Sequence, residues 1–153
     1  MKHLSDFNLY IAGKDFSKNN ENINKYKEII KNLNLSNIYF MGWVDKNEFY
    51  KNVDLIVISS LFEASPMNSI EAMSKGKIII SNKNEGCLEN LGSIDDRIFV
   101  NDTFSSTEYA DKIKFFSKNI DLSNEIILKN YNHFLENFTL KSSKNKLSKF
   151  FKQ

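Results

Sequence analysis

Two glutamates, Glu63 and Glu71, stand eight positions apart within the stretch from Leu61 to Lys77. Between them, Ser65-Pro66 predicts a helix start. Serine caps helices well, and proline suits the first helical position, where its missing N–H would be unpaired anyway. Gly76 is typical of the left-handed residue just past a helix end. The stretch therefore predicts a short helix that opens onto a loop, with one carboxylate on the loop and one on the helix.

This arrangement suits a ligand that carries both phosphate and sugar groups. Backbone N–H groups and the helix dipole favour an anion at the helix N-terminus, here Ser65 to Asn68. At ~1.5 Å per residue, Glu71 lies about 7–8 Å farther along the helix axis than Pro66, which is roughly the span from a diphosphate to a ribose. A carboxylate accepts two hydrogen bonds at once from a pair of sugar hydroxyls. The pattern predicts a nucleoside diphosphate sugar, with its ribose on Glu71 and its hexose on Glu63.

Spacing alone leaves an ordinary alternative open, because glutamates near helix starts are common and an acid pair at this distance also occurs by chance. Other chemistries have less support. His3 and His133 are isolated and Cys87 is the only cysteine, so the sequence shows no metal-ligand cluster and no internal disulfide. The glycine-rich motifs of dinucleotide-binding proteins, NTPases and serine hydrolases are also absent from the sequence.

Composition indicates one folded α/β domain over residues 1–153. Apolar residues make up 41% of the 153 residues, which is typical of a globular protein. A net charge of +2 and a single arginine, Arg97, argue against a nucleic-acid partner. The lone Cys87 suits a reducing compartment, and no apolar run is long enough to span a membrane. Cytoplasmic localisation is therefore expected.

Short apolar runs alternate with amphipathic segments along the chain, which predicts a Rossmann-like parallel sheet covered by helices on both faces. The predicted strands are Leu9–Ala12, Ile38–Phe40, Leu55–Ile58, Ile78–Ile80 and Ile98–Val100. Capping boxes at Asp45/Glu48 and Ser105/Glu108 predict helix starts. A later helix is expected to carry Ile127, Tyr131, Phe134 and Phe138 on one face. Ligands of such sheets bind outside the carboxyl ends of the strands, where the loop from Ser59 to Pro66 lies.

With these residues in place, the sequence resembles the C-terminal domain of retaining glycosyltransferases of the GT-B fold, the large family 4 type. That family has a strand ending in serine, a glutamate, a loop with proline, a second glutamate eight positions on, Ala-Met and a glycine. The matching residues here are Ser60, Glu63, Pro66, Glu71-Ala72-Met73 and Gly76. Further matches in the family's order are Gly13, Gly42, Val53-Asp54, Gly86 with Glu89, and Phe138-Thr139.

The resemblance implies transfer of a hexose from a nucleotide sugar with retention of configuration, without a metal or other cofactor, to a cell-envelope glycan or a lipid-linked acceptor. It makes Glu63 the catalytic residue at the donor sugar and assigns Glu71 to the ribose. The other donor-binding residues it implies are Ser65, Pro66, Met67 and Asn68 at the diphosphate, Gly42 and Trp43 near the base, and Gly13, Lys14 and Gly86 along the cleft. From the residues alone, Trp43 is better interpreted as a half-buried loop aromatic than as a contact to the base.

Two departures from the family pattern concern charge: Lys77 replaces a proline, and Glu85 stands where a glycine is common. A further expectation concerns what precedes Leu9. In the family a strand and a loop with basic residues come first, so the first strand of the domain looks missing here. Lys14 could replace the basic residues of that loop in charge, but not demonstrably in position. The strands at Leu9 and Leu55 are then expected either to pair directly or to leave a gap in the sheet, with no strand formed by residues 1–8.

In the family the active site also needs an N-terminal acceptor-binding domain, which here would lie on another polypeptide. The last helix, residues 139–153, normally crosses back onto that domain. Here Leu147, Phe150 and Phe151 leave three alternatives: docking against the domain or a partner, peripheral contact of residues 140–152 with an anionic membrane, or solvated fraying. Two functions remain open: the donor-binding half of a glycosyltransferase, or a truncated, non-catalytic nucleotide-sugar-binding or interaction module.

Overall fold

The computed structural model describes residues 1, 3–92 and 94–151. They form two compact units, Met1–Val53 and Asp54–Gln153. The organisation of residues 1–153 as one domain stays a prediction. Residues 152 and 153 of the predicted last helix lie outside the described residues.

The first unit is built on a pair of parallel strands. β1 runs parallel to β2, with Leu9 opposite Ile38 and Ala12 opposite Gly42, and the register shifts between Ile11 and Ala12. Its elements are β1 (Leu9–Ala12), α1 (Glu21–Asn32), β2 (Ile38–Gly42) and α2 (Lys46–Lys51). At α2 the predicted cap is confirmed, because the Asp45 side chain accepts a hydrogen bond from the Glu48 N–H.

The loop after β1 is held by one carboxylate. Asp15 accepts hydrogen bonds from the N–H of Ser17 at 2.8 Å and from the N–H of Ile23, in the first turn of α1, at 2.9 Å. The Ser17 side chain, followed by these backbone donors, lowers the pKa of Asp15 to about 2. The loop between β1 and α1 is therefore held by hydrogen bonds to the ionised Asp15 side chain.

The second unit contains a three-stranded parallel sheet in the order β3-β4-β5. Its strands are β3 (Leu55–Ile58), β4 (Ile78–Asn82) and β5 (Phe99–Val100), and its helices are α3 (Met67–Ser74), α4 (Glu85–Leu91), α5 (Ser106–Lys118), α6 (Ile120–Asn137) and α7 (Leu140–Phe150). The sequence did not predict α4. Ile98 belongs to a short 3₁₀ turn rather than to the predicted fifth strand.

The core of the second unit centres on β4, which is buried at all five residues. The α6 face with the most buried residues differs from the predicted one. It carries Ser123, Ile126 and Asn130, whereas Tyr131 is 41% exposed. Hydrogen bonds offset part of the cost of this burial: the Ser123 hydroxyl donates to the Phe116 carbonyl, and the Asn130 amide donates to the Lys77 carbonyl. The Asn130 side-chain oxygen is buried and accepts no hydrogen bond from the described residues.

The predicted fold class is confirmed: the chain is α/β, with parallel sheets flanked by helices. Direct pairing of the strands that start at Leu9 and Leu55 is not found, because β1 and β3 belong to different sheets. The described part of residues 1–8 contains turns and no strand, as expected.

Candidate functional site

The loop from Ser59 to Pro66 leaves the carboxyl end of β3 and leads into α3. Two buried or half-buried amides fix its start: Asn82 and Asn84 both donate to the Ser60 carbonyl, at 2.5 and 2.8 Å. Asn84 also caps α4, since its side-chain oxygen accepts from the Cys87 N–H at 2.8 Å. The end of β3 is thereby tied to the end of β4 and to the start of α4.

Gly86 supports the middle of the same loop. Its N–H donates to the Glu63 carbonyl at 3.0 Å. A Cβ at this position would come within 2.4 Å of the Glu63 carbonyl oxygen and 2.7 Å of the Ala64 backbone. Gly86 therefore acts by letting two backbones approach closely, and its N–H is used by the loop that carries Glu63.

The start of α3 differs by one residue from the predicted one. The helix begins at Met67, and Pro66 occupies the N-cap position with φ −68° and ψ 109°, an extended conformation. Ser65 thus lies outside the cap position, and its hydroxyl donates to the Asn90 side-chain oxygen at 3.3 Å. Because Pro66 has no N–H, the first backbone donors of α3 belong to Met67 and Asn68, both exposed. Gly76, with φ +61°, confirms the predicted left-handed helix end.

A buried polar network behind this helix start was not predicted. Asn90 on α4, only 2% exposed, donates to the Ser69 hydroxyl at 2.9 Å and to the Pro66 carbonyl at 3.4 Å. The Ser69 hydroxyl donates to the same carbonyl at 2.7 Å. Asn90 therefore joins the loop before α3 to the first turn of α3. An asparagine three positions after the buried Cys87, on the inner side of a short helix, is the only sequence signal for it.

The two glutamates lie on either side of the helix start, as the spacing predicts. Glu63 lies on the loop, and Glu71 lies in α3, one turn after Met67. Both residues are half-buried. Burial raises the pKa of the Cys87 thiol, and the Glu63 charge raises it further. Cys87 is fully buried. Cys87 is therefore a packed, neutral thiol.

The remaining sequence-predicted site residues belong to the first unit. Gly13 and Gly42, with φ +128° and +63°, meet at the carboxyl ends of β1 and β2, where the Gly13 N–H donates to the Gly42 carbonyl at 2.8 Å. The Lys14 ammonium lies 6.0 Å from the centre of the Phe16 ring. Trp43 is 82% exposed, so the alternative of a half-buried loop aromatic is wrong.

Within the described residues, no group of three or more His, Cys, Asp or Glu side chains is placed to hold a metal ion. In the same part of the chain, no helix has the length and apolar content needed to cross a membrane.

In open parallel α/β sheets, ligands bind outside the carboxyl ends of the strands, where the loop from Ser59 to Pro66 lies. The chain belongs to the family of glycosyl transferases group 1, whose family model matches residues 1–146. The resemblance to the C-terminal domain of GT-B glycosyltransferases is thereby confirmed. A search of curated proteins found no match.

Solved structures similar to this chain share its fold. A glycosyltransferase from Rickettsia africae is 24% identical with a TM-score of 0.82, and the match covers 99% of this chain and 42% of that one. HepE from Anabaena, in complex with UDP and glucose, is 16% identical with a TM-score of 0.84, covering 99% and 43%. The C-terminal domain of a group 1 family protein, LpcC from Francisella tularensis, is 23% identical with a TM-score of 0.68, covering 81% and 66%. The chain thus spans about two fifths of the length of the first two.

Proposed function

We propose that this chain is the donor-binding part of a glycosyltransferase that transfers a hexose from a nucleoside diphosphate sugar with retention of configuration. The observation that carries the proposal is the α3 start, where the exposed residue Met67 opens the helix, with Glu63 before it and Glu71 one turn after it. Membership in the group 1 family supports the transferase class. HepE, solved with UDP and glucose, is a structural neighbour and supports the donor class.

In the proposed binding mode, the diphosphate lies at the α3 N-terminus, where backbone N–H groups and the helix dipole stabilise negative charge. Glu71 accepts hydrogen bonds from the ribose hydroxyls. Glu63 accepts hydrogen bonds from the hexose, which makes it the residue nearest the reacting carbon. Ser65, Pro66 and Gly86 hold this loop, and no metal takes part.

In this mode, lysines of this chain or basic residues of the acceptor-binding part supply the positive charge that helps the diphosphate to leave. The single arginine, Arg97, is held by Asp95, with a guanidinium-to-carboxylate distance of 2.6 Å. We propose that an N-terminal acceptor domain, on another polypeptide or a longer chain, completes the site in the cytoplasm. The acceptor would be a cell-envelope glycan or a lipid-linked sugar.

Calorimetric titration of the chain with UDP-, GDP- and ADP-glucose tests the donor site. Glu71→Gln should weaken both the nucleotide sugar and the free nucleoside diphosphate by about tenfold or more, because a charge-assisted hydrogen bond contributes ~1.5–3 kcal/mol. Glu63→Gln should weaken only the nucleotide sugar, since the free nucleoside diphosphate has no hexose. Glu136→Gln, an exposed glutamate of α6, is the matched control and should change neither affinity.

Two outcomes would contradict the proposal: no donor binding at millimolar concentration, or a Glu71→Ala variant that binds like the parent chain. A second candidate function, a nucleotide-sugar-binding module without turnover, is favoured by the scarcity of arginine, of which the sequence has one. Donor binding without release of nucleoside diphosphate, even with the acceptor domain added, would support this second function.

A further inference from the structure

The side chain of Asn90, on α4, sends three hydrogen bonds to the segment that begins α3. Its amide nitrogen donates to the Ser69 hydroxyl at 2.9 Å and to the Pro66 carbonyl at 3.4 Å. Its oxygen accepts from the Ser65 hydroxyl at 3.3 Å. A buried amide is costly unless hydrogen bonds compensate it, and Asn90 is buried. The compensation comes from residues just before, at and after the N-cap of α3.

These hydrogen bonds run in one direction and end on a carbonyl. The Ser69 hydroxyl donates to the Pro66 carbonyl oxygen at 2.7 Å, and a carbonyl oxygen only accepts. Because the Ser69 hydroxyl gives its proton to Pro66, it is free to accept from the Asn90 nitrogen. The Asn90 oxygen is then left to accept from Ser65. Successive hydrogen bonds in one direction strengthen each other, so this series favours one arrangement of the α3 start.

Holding the Pro66 carbonyl also sets the direction of the Met67 N–H. The two groups belong to one planar trans peptide unit, in which the C=O and the N–H point in opposite directions. The Pro66 carbonyl also accepts from the Ser69 N–H at 3.0 Å, within the first turn of α3. Hydrogen bonds that keep the Pro66 oxygen turned toward Ser69 and Asn90 therefore turn the Met67 N–H away from them.

We propose that Asn90 is a positioning residue for the donor diphosphate. Through Ser69 and the Pro66 carbonyl, it aims the Met67 N–H at the bound phosphate without touching the donor itself. This role rests on the proposed function, which places the diphosphate at the α3 start. An N–H group that is oriented before the ligand arrives loses little freedom on binding, so its preorganisation contributes to affinity.

Asn130 on α6 is the matched control. It is also a fully buried asparagine, and its amide donates to the Lys77 carbonyl at 2.9 Å. Lys77 directly precedes β4, so this bond lies at the amino end of the sheet, opposite the loop from Ser59 to Pro66. Asn130→Leu and Asn90→Leu therefore remove the same buried group, and only Asn90→Leu removes it beside the α3 start.

Calorimetric titration of the full chain with UDP, GDP and ADP tests the role in binding. Asn90→Leu should weaken the diphosphate that the parent binds by roughly fivefold to tenfold. Ser69→Ala, which removes one hydroxyl from the same series, should weaken it by a similar factor. The double variant should lose about as much as one single variant, because both changes break one series. Asn130→Leu should bind like the parent chain.

Phosphorus NMR separates positioning from a loss of stability. The phosphorus chemical shift at saturating nucleoside diphosphate reports the surroundings of the bound phosphate and not the fraction bound. Asn90→Leu and Ser69→Ala should change this shift, whereas Asn130→Leu should leave it unchanged. If Asn90→Leu does not fold, Ser69→Ala supplies the same comparison.

Amide exchange in the ligand-free chain gives a readout that needs no donor. The Ser69 N–H should exchange faster in Asn90→Leu than in the parent, and Asn130→Leu should leave its rate unchanged. A parent chain that binds none of the three diphosphates would contradict the proposed function, and with it the role of Asn90 in donor binding. If the parent binds, three results would each overturn the role of Asn90 alone: an unchanged phosphorus shift, an unchanged Ser69 exchange rate, or equal affinity losses in Asn90→Leu and Asn130→Leu.

Discussion

Strands β1 and β4 look alike in the sequence but have opposite environments. Both are short apolar runs, yet three of the four residues of β1 are exposed, whereas all five residues of β4 are buried. β4 pairs with a strand on each side, while β1 pairs only with β2. The number of strand neighbours alone does not decide burial, because β5 also pairs with one strand and is fully buried. Helices pack against β4 and β5, and an apolar run in the sequence does not report this cover.

The helices of the two units differ in the same way. α1 has no buried residue, whereas α5 buries Ala110 and Phe116 and α6 buries Ile126. In the first unit, Tyr10 of β1 stacks on its cross-strand partner Tyr39 with ring centres 5.2 Å apart, and both rings are partly exposed. We expect the second unit to supply most of the free energy of unfolding, because it buries most of the apolar side chains.

The same substitution in both strands should show the largest difference. Ile79→Ala in β4 removes a fully buried side chain and should lower the free energy of unfolding by about 2–5 kcal/mol. Ile11→Ala in β1, where the side chain is 39% exposed, should cost about 1 kcal/mol. Urea unfolding followed by circular dichroism measures both. Equal costs would contradict the unequal burial of the two strands.

Glycines provide a second, smaller contrast. Gly86→Ala places a Cβ against the Glu63 carbonyl oxygen and should cost about 3 kcal/mol and disturb the loop that carries Glu63. Gly42→Ala meets no atom within 4 Å, so it should cost only the ~1 kcal/mol of a left-handed alanine. Urea unfolding measures the costs, and calorimetric titration measures the effect on UDP-glucose. If Gly86→Ala binds UDP-glucose as tightly as the parent chain, the close backbone approach at Gly86 is not needed to hold the loop that carries Glu63.

Much of the fold follows from the sequence because its signals are local. Gly76 ends α3 and Asp45 caps α2, since each depends only on the adjacent helix turn. The amides that fix the loop, Asn82, Asn84 and Asn90, could not be selected from a chain rich in asparagine. Their roles depend on contacts with Ser60 and Ser69, more than twenty positions away.

The inner face of α6 shows why periodicity of apolar residues is an incomplete guide. The sequence predicts that Ile127, Tyr131, Phe134 and Phe138 share one face, and of these Ile127, Phe134 and Phe138 are half-buried, whereas the buried residues of α6 include Ser123 and Asn130. Each of these two side chains donates a hydrogen bond to a carbonyl from another segment, although the Asn130 side-chain oxygen has no partner among the described residues. Nothing in the sequence identifies the carbonyls of Phe116 and Lys77 as the acceptors of these hydrogen bonds.

The smallest predicted effect compares one carboxylate from each unit. Asp15 is held by Ser17 and by the Ile23 N–H, and its pKa falls from 3.8 to about 2. In the second unit, Glu108 accepts from the N–H groups of Asp102 and Asn101, and these bonds lower its pKa below 4.5. A folded-state pKa below the unfolded one means that each group stabilises the fold above its ordinary pKa. That contribution is lost as the pH falls through the lowered value.

Protonation should loosen the first unit more than the second, because α1 has no buried residue to hold it once Asp15 releases Ile23. Amide exchange measured by NMR between pH 4 and pH 2, corrected for intrinsic rates, should show Ile23 losing protection. Meanwhile Ala110 in α5, which is buried, should keep its protection. Asp15→Asn should make protection at Ile23 independent of pH over this range. A titration midpoint for Asp15 near 3.8, or parallel losses at Ile23 and Ala110, would show that this carboxylate does not set the stability of the loop after β1.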